Sequence, residues 1–122
     1  LADREQHLET LLGLLRQGRA ARITAAERLA KLDALPDVIR LWQAWWRDVL
    51  LVENGCEDLV ANVDCLDALR RWTAHGGAGR APAALREAET ALSRLERNVN
   101  PRLALEVLLL RLPEAGSPPP GS

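Results

Sequence analysis

The residues that could bind a metal ion are two cysteines and two histidines, and their spacing does not suit a metal site. Cys56 and Cys65 lie nine positions apart, and His75 follows ten positions later. Structural zinc sites use four ligands, usually with a short C-x₂₋₄-C pair, which this sequence lacks. His7 stands alone in the first predicted helix. We therefore expect no metal and no other cofactor, and two reduced thiols.

Candidate acid–base and phosphate-binding residues also have a structural explanation. Asp58, Asp64 and Asp67 cluster at a predicted loop and helix start, where aspartate side chains commonly cap the backbone. The glycine-rich run at 76–79 has neither a strand before it nor the Lys-Ser or Lys-Thr of a phosphate loop. We expect Arg47 and Asp48 to flank the apolar stripe of the third helix, each bound to a neighbouring loop or helix. No nucleophile, base and oxyanion donor come together, so the sequence predicts a non-catalytic domain.

The composition favours helices and argues against direct nucleic-acid binding. Of the 122 residues 48% are hydrophobic and 27% charged, which is typical of a globular domain. Phe and Tyr are absent, and Leu and Ala, which favour helices, supply most of the apolar side chains. Lys and Arg number 16 against 17 Asp and Glu, so the basic surplus of a nucleic-acid grip is missing. No apolar run approaches the roughly 20 residues that span a bilayer, so we expect no membrane contact and a cytoplasmic location.

Apolar residues recur at helical spacing, and Gly, Pro and Asn separate the segments. The pattern predicts an all-α fold, a single orthogonal or antiparallel bundle of about five to six helices over residues 1–113. A Pro-rich tail over residues 114–122 is expected to be disordered. The predicted helices are about Ala2–Gln17, Thr24–Leu32, Pro36–Glu53, Asp64 to the Gly76-Gly77 stop, Pro82 through Leu95, and Pro101–Leu112.

The ends of these helices carry sequence signals of their own. Short polar side chains cap helix starts, and Gly or Asn permits the left-handed residue that ends a helix. The predicted caps are a Thr24–Glu27 capping box, an Asn54-Gly55 stop, an Asp64 N-cap, and an Asn100 N-cap before Pro101.

Three of the four tryptophans cluster in the third predicted helix. Large rings in such a cluster usually fill a core, although an exposed stacking or partner surface is the alternative. Aromatic platforms for single-stranded nucleic acid are accompanied by a basic groove, and only Arg40 and Arg47 are basic here. The predicted core is Trp42, Trp45, Trp46, Leu92 and Leu95.

The last predicted helix is apolar nearly all the way round. Only Arg102, Glu106 and Arg111 are polar, and the first two form an i,i+4 pair. Such a helix either is buried within its own bundle or offers one face to another chain. We expect a subunit interface here, and weak self-association of the isolated domain through it. The candidate interface residues are Leu103, Leu105, Val107, Leu109, Arg102 and Glu106.

Two stretches of the chain resemble a known family. Residues 42–51 read WQAWWRDVLL and are followed by Gly55 and by Asn62-Val63-Asp64. Residues 95–110 read LERNVNPRLALEVLLL, an Asn-x-Asn turn that leads into a closing apolar helix. In order and spacing they resemble the third domain of the delta-prime subunit of bacterial DNA polymerase III clamp loaders. The resemblance covers residues 2–113.

The resemblance implies a non-catalytic collar domain, which helps to assemble the pentameric loader that places the sliding clamp on DNA in replication. It implies tau/gamma and delta as partners, contact with DNA only through the complex, and a bacterial cytoplasm. The family's nucleotide and zinc sites belong to other domains, so none is transferred. The alternatives are the equivalent tau/gamma collar, or a small nucleic-acid-binding module that uses Arg70, Arg71, Arg80 and Arg86.

Overall fold

A computed structural model describes residues 2–74 and 79–113. Within these ranges the chain forms six α-helices, two short 3₁₀ turns and no strand, which confirms the predicted all-α fold. The predicted helix stop at Gly76-Gly77 and the predicted tail at 114–122 lie outside the described residues. The helices are α1 (Ala2–Leu15), α2 (Arg19–Leu29), α3 (Leu35–Glu53), α4 (Leu66–Trp72), α5 (Ala81–Glu96) and α6 (Pro101–Leu110). The 3₁₀ turns are Glu57–Leu59 and Val63–Cys65.

Helix α2 begins earlier than predicted, so the capping box is wrong. Thr24 lies inside the helix, where its Oγ1 donates to the carbonyl oxygen of Ala20 at 3.1 Å. Serine and threonine inside helices commonly form this bond to the preceding turn. Ala20 and Ala21 favour helix, and they extend α2 back to Gly18.

The end of α3 is as predicted, whereas the start of α4 is not. Gly55 has a φ of 72°, and the Cys56 amide donates to the carbonyl oxygen of Leu51 at 2.7 Å, as in a Schellman motif. The N-cap of α4 is Cys65, with no side-chain cap. Asp64 is wrong as the predicted cap because its carboxylate binds Arg4 of α1 instead.

The Asn-x-Asn turn ends one helix and begins the next. Asn98 has a φ of 61°, and the Val99 amide donates to the carbonyl oxygen of Arg94 at 2.9 Å, which closes α5. The Asn100 side chain accepts hydrogen bonds from the amides of Arg102 and Leu103 at 2.9 and 3.4 Å. These bonds confirm the predicted cap of α6, and the turn fixes where α6 leaves α5.

Helix α3 lies at the centre of the bundle. It packs against α1, α4 and α5, while α6 packs against α2 and α5. Trp42, Trp45 and Trp46 are exposed by only 1%, 0% and 1%, so the tryptophan cluster fills the core. Trp42 Nε1 also donates to the carbonyl oxygen of His7 in α1, at 3.0 Å. No helix within the described ranges is long and apolar enough to cross a membrane.

Helix α5 meets the core through alanines instead of leucines. Leu92 and Leu95, predicted as core, are half-buried and pack against the edge of the core cluster. Alanine is small, so it lets the backbone of α5 approach α3 without overfilling the interior. The fully buried stripe of α5 is Ala81, Ala84, Ala88 and Ala91.

Candidate subunit-contact surface

Helix α6 has one face in the core and one at the surface. Its buried residues are Ala104, Leu105, Leu108 and Leu109. On the opposite face Leu103 is 56% exposed, and Val107 and Leu110 are half-buried. These three recur at i, i+4 and i+7, so they form one apolar line along the helix, which we call the α6 stripe.

Two predicted interface residues are therefore wrong. Leu105 and Leu109 are both 0% exposed, because α6 presses one face against α2 and α5. Neither side chain can reach a neighbouring subunit while the bundle is folded. Leu103 and Val107, from the same prediction, do lie on the outer face.

The charged side chains beside the α6 stripe are paired. Arg102 Nε lies 3.1 Å from Glu106 Oε1, as the i,i+4 spacing predicts. Arg111 Nη1 lies 3.3 Å from Glu87 Oε1 on α5. Exposed pairs of this kind contribute little to stability. The two ion pairs nevertheless mean that the charged side chains beside the α6 stripe already have partners.

The end of α6 is held by a buried arginine that sequence analysis missed. Arg22 of α2 is only 3% exposed, and its Nη1 donates to the carbonyl oxygens of Leu109 and Leu112 at 2.9 and 2.7 Å. Its Nε donates to the carbonyl oxygen of Leu14 at the end of α1, at 3.0 Å. Helix ends leave such carbonyls without intrahelical donors, so one guanidinium satisfies two helix ends. The helical spacing places Arg22 on the same face as the buried Ala25, Ala26 and Leu29, a signal that the charge of the residue obscured.

A buried carboxylate anchors the connection between α3 and α4. Asp48 is 1% exposed and accepts hydrogen bonds from the amides of Ala61 and Asn62 at 3.0 and 2.9 Å. The side-chain amide of Asn62 donates to the same carboxylate at 2.6 Å. The expectation that each residue of the Arg47-Asp48 pair binds a neighbouring loop or helix is confirmed for Asp48 only. Arg47 is exposed, and among the described residues its side chain makes no hydrogen bond or ion pair. The role of Asp48 is to position residues 61 and 62 against the middle of α3.

The same connection is tied to α1. Arg4 donates to Asn62 Oδ1, and its Nη1 lies 2.9 Å from Asp64 Oδ2. The hydrogen bond from Arg4 holds the pKa of the exposed Asp64 carboxyl below its usual value. Burial is the main cause that raises the pKa of the neighbouring Cys65 thiol. The connection thus has fixed contacts to both α1 and α3.

We expect Asp48→Asn to weaken this anchor. An asparagine can direct its oxygen to the two donors of Asn62, but its amide then faces the Ala61 N–H, donor against donor. The unmatched pair should lower the free energy of unfolding by about 1–2 kcal/mol. Urea denaturation measures the loss, and amide hydrogen exchange should accelerate at Ala61 and Asn62. Unchanged exchange at both amides would contradict the assigned role.

Comparison with known families decides what kind of domain this surface belongs to. The family described as DNA polymerase III, delta subunit, C terminal matches residues 1–114. The chain belongs to this family. It is a C-terminal domain of a DNA polymerase III clamp-loader subunit, and so a component of that complex. Neither the curated proteins nor the solved structures contain a significant match to it.

Of the four arginines in the nucleic-acid-binding alternative for this clamp-loader domain, Arg70 is already bound by carboxylates. The Arg70 Nε lies 3.2 Å from Glu57 Oε2, and the Arg70 Nη1 lies 3.8 Å from Asp67. The bond to Arg70 lowers the pKa of the Glu57 carboxyl, which keeps the partner of Arg70 charged. Arg71 and Arg86 are exposed on α4 and α5. Since carboxylates already bind Arg70, nothing here favours the nucleic-acid-binding alternative over subunit contact.

Proposed function

We propose that this chain is the collar domain of a clamp-loader delta-prime subunit. Its role is non-catalytic: it holds subunits together in the pentameric loader that places the sliding clamp on DNA. The observation that carries the proposal is the α6 stripe, an apolar line at the surface of a domain from a clamp-loader family. Its partners are then tau/gamma and delta, DNA is contacted only through the complex, and the location is the bacterial cytoplasm.

The physical case for subunit contact rests on Leu103. More than half of this large apolar side chain is exposed, in a helix whose first turn is fixed by the Asn100 cap. Full burial of a leucine side chain contributes about 1.5–3 kcal/mol. Because its backbone is already held in place, Leu103 can be buried by a partner with little additional loss of conformational entropy. The side chain is therefore suited to anchor an interface.

Leu103→Asp in the full-length protein tests the proposal. The substituted side chain faces solvent, so the free energy of unfolding should change by less than about 1 kcal/mol. Affinity for the partner subunit that covers α6 should fall at least about tenfold, because a carboxylate would be buried in an apolar contact. Calorimetry with purified subunits and gel filtration of the reconstituted complex measure both effects.

Leu32→Asp is the matched control. Leu32 is 38% exposed and lies in the connection between α2 and α3, away from the α6 stripe in the chain. The same charge placed there should leave assembly unchanged. If Leu103→Asp assembles as well as the control, α6 does not make a subunit contact and the proposed function loses its main support.

The delta-prime assignment has a separate test. It rests on the resemblance carried by residues 42–51 and 95–110, whereas family membership reaches only to the clamp-loader C-terminal domain. The full-length protein should restore clamp loading to a mixture of delta and tau/gamma. Restoration of a mixture that lacks delta instead would identify the protein as a delta subunit, and restoration of one that lacks tau/gamma would identify it as that subunit.

A further inference from the structure

The connection between α3 and α4, residues 54–65, displays two apolar side chains that the fold does not use. Leu59 is 64% exposed and Val63 is 69% exposed, more than any other large hydrophobic side chain among the described residues. Val60, between them, points inward and is 6% exposed. The connection thus contributes one residue to the core and leaves its two neighbours to the solvent.

The exposure of Leu59 and Val63 does not come from a loosely held loop. The Val60 amide donates to the carbonyl oxygen of Glu57 at 3.2 Å, which closes the first 3₁₀ turn. Asp48 holds residues 61 and 62 from α3, and Arg4 holds Asp64 from α1. A backbone with this many fixed contacts presents its side chains in one arrangement. Preorganisation of that kind lowers the entropy that a partner must remove on binding.

The connection and the α6 stripe lie on different parts of the bundle. The connection packs against α3 and α4, whereas α6 packs against α2 and α5. The two surfaces therefore rest on different helices. One partner subunit that covers the α6 stripe would leave Leu59 and Val63 uncovered.

We propose that Leu59 and Val63 form a second subunit contact, for the clamp-loader neighbour that does not bind α6. The inference rests on the proposed function, since a subunit inside a ring meets its two neighbours through two different surfaces. An apolar anchor for the second contact must then lie outside the α6 stripe. Leu59 and Val63 supply this second contact, on a backbone that Asp48 and Arg4 hold in place.

The charges around the pair define the partner surface. Glu57, Asp58 and Asp64 lie within the connection and Asp67 follows it in α4, and Arg70 and Arg4 bind Glu57 and Asp64. Asp58 is exposed, and the Asp67 side chain is 88% exposed. Arg71 is exposed beside Arg70, so four carboxylates stand against three arginines and the rim carries one net negative charge. Electrostatic complementarity then calls for a partner with an apolar socket for two aliphatic side chains, bordered by Lys or Arg.

The test is the double substitution Leu59→Ser with Val63→Ser in the full-length protein, with binding to delta and to tau/gamma measured separately. Both side chains face solvent, so the helical signal and the unfolding midpoint should stay at the wild-type values. Affinity for one neighbour should fall at least about tenfold, and affinity for the other should stay within about twofold. Leu103→Asp should give the opposite pattern. Leu32→Ser is the matched control.

The charge requirement is tested by Asp58→Lys. It should weaken binding to the same neighbour as the serine pair, and more strongly at low than at high salt. An unchanged affinity for that neighbour at low salt would overturn the basic border assigned to the socket.

The other outcomes separate the inference from the proposed function. If the serine pair binds both neighbours like wild type while Leu103→Asp loses one, the second contact is wrong and the collar function stands. The same holds if both variants lose the same neighbour. If the serine pair abolishes only self-association of the chain, the occupant is a second copy and the inference is overturned. If the wild-type protein binds neither neighbour, the proposed function itself fails.

Discussion

Leu105→Asp should unfold the domain, whereas Leu103→Asp, two residues away, should leave it folded. Leu105 is 0% exposed and Leu103 is 56% exposed. An aspartate at 105 would either bury an unpaired charge or expose the core to water. Both costs exceed about 4 kcal/mol, which approaches the lower end of the 5–15 kcal/mol that stabilises an ordinary domain. An aspartate at 103 stays in water.

Circular dichroism and urea denaturation of the two variants measure the difference. Leu105→Asp should lose most of its helical signal at 37 °C, and Leu103→Asp should unfold at the wild-type midpoint. Leu105→Met keeps the volume and the apolar character, so it should cost less than about 1.5 kcal/mol. If Leu105→Asp stays folded but fails to assemble, Leu105 faces a partner and the inward orientation of α6 is wrong.

The sequence of α6 predicts a helix but not its orientation. Residues 103, 107 and 110 are as apolar as residues 105, 108 and 109, so the helical period separates two faces without saying which one points inward. The choice is made by α2 and α5, which cover one face only. That is why four of the six predicted interface residues lie on the outer face, while Leu105 and Leu109 are core.

Local signals predicted helix ends well where the backbone itself enforces them. Gly55 adopts the left-handed conformation that Asn54-Gly55 predicts, and Asn100 caps α6 before Pro101. The Thr24 cap failed because Ala20 and Ala21 extend α2 past it, and the Asp64 cap failed because another side chain intervened. Asp64 could have capped α4, but Arg4, which is distant in the sequence, binds its carboxylate. Because Arg4 is far from Asp64 in the sequence, the residues next to Asp64 do not predict that an ion pair will replace the cap.

The core, too, could be predicted from the sequence only in part. The tryptophan cluster could be assigned to the interior because its rings are large and lack a basic groove around them. The alanine stripe of α5 could not, because the leucines of that helix are the stronger apolar signal. The buried face of α5 consists of alanines, and these small side chains let α5 lie close to α3, whose indole rings already fill the core. Trp46 packs edge-on against Trp72 of α4 at 5.5 Å.

Arg22→Met should lower the free energy of unfolding by about 3 kcal/mol. Methionine keeps the aliphatic stem, so the change removes the guanidinium with little loss of packing. Carbonyl groups at the ends of α1 and α6 would then lose a charged donor, and each such bond contributes about 1.5–3 kcal/mol. The recovered desolvation of a buried cation offsets part of this loss. The affected carbonyls are those of Leu14, Gln17, Leu109, Leu112 and Pro113.

The same substitution should also reach the α6 stripe. Arg22 holds the last turn of α6, so its loss should speed amide hydrogen exchange from Leu109 to Arg111 more than in α3. Arg22→Lys should recover only part of the stability, because a single ammonium group cannot reach both helix ends as the guanidinium fork does. A lysine variant as stable as wild type would show that any buried positive charge suffices there. A methionine variant within about 1 kcal/mol of wild type would show that no charge is needed. Loss of stability confined to the end of α6 and α1 would establish Arg22 as the residue that positions the proposed contact helix.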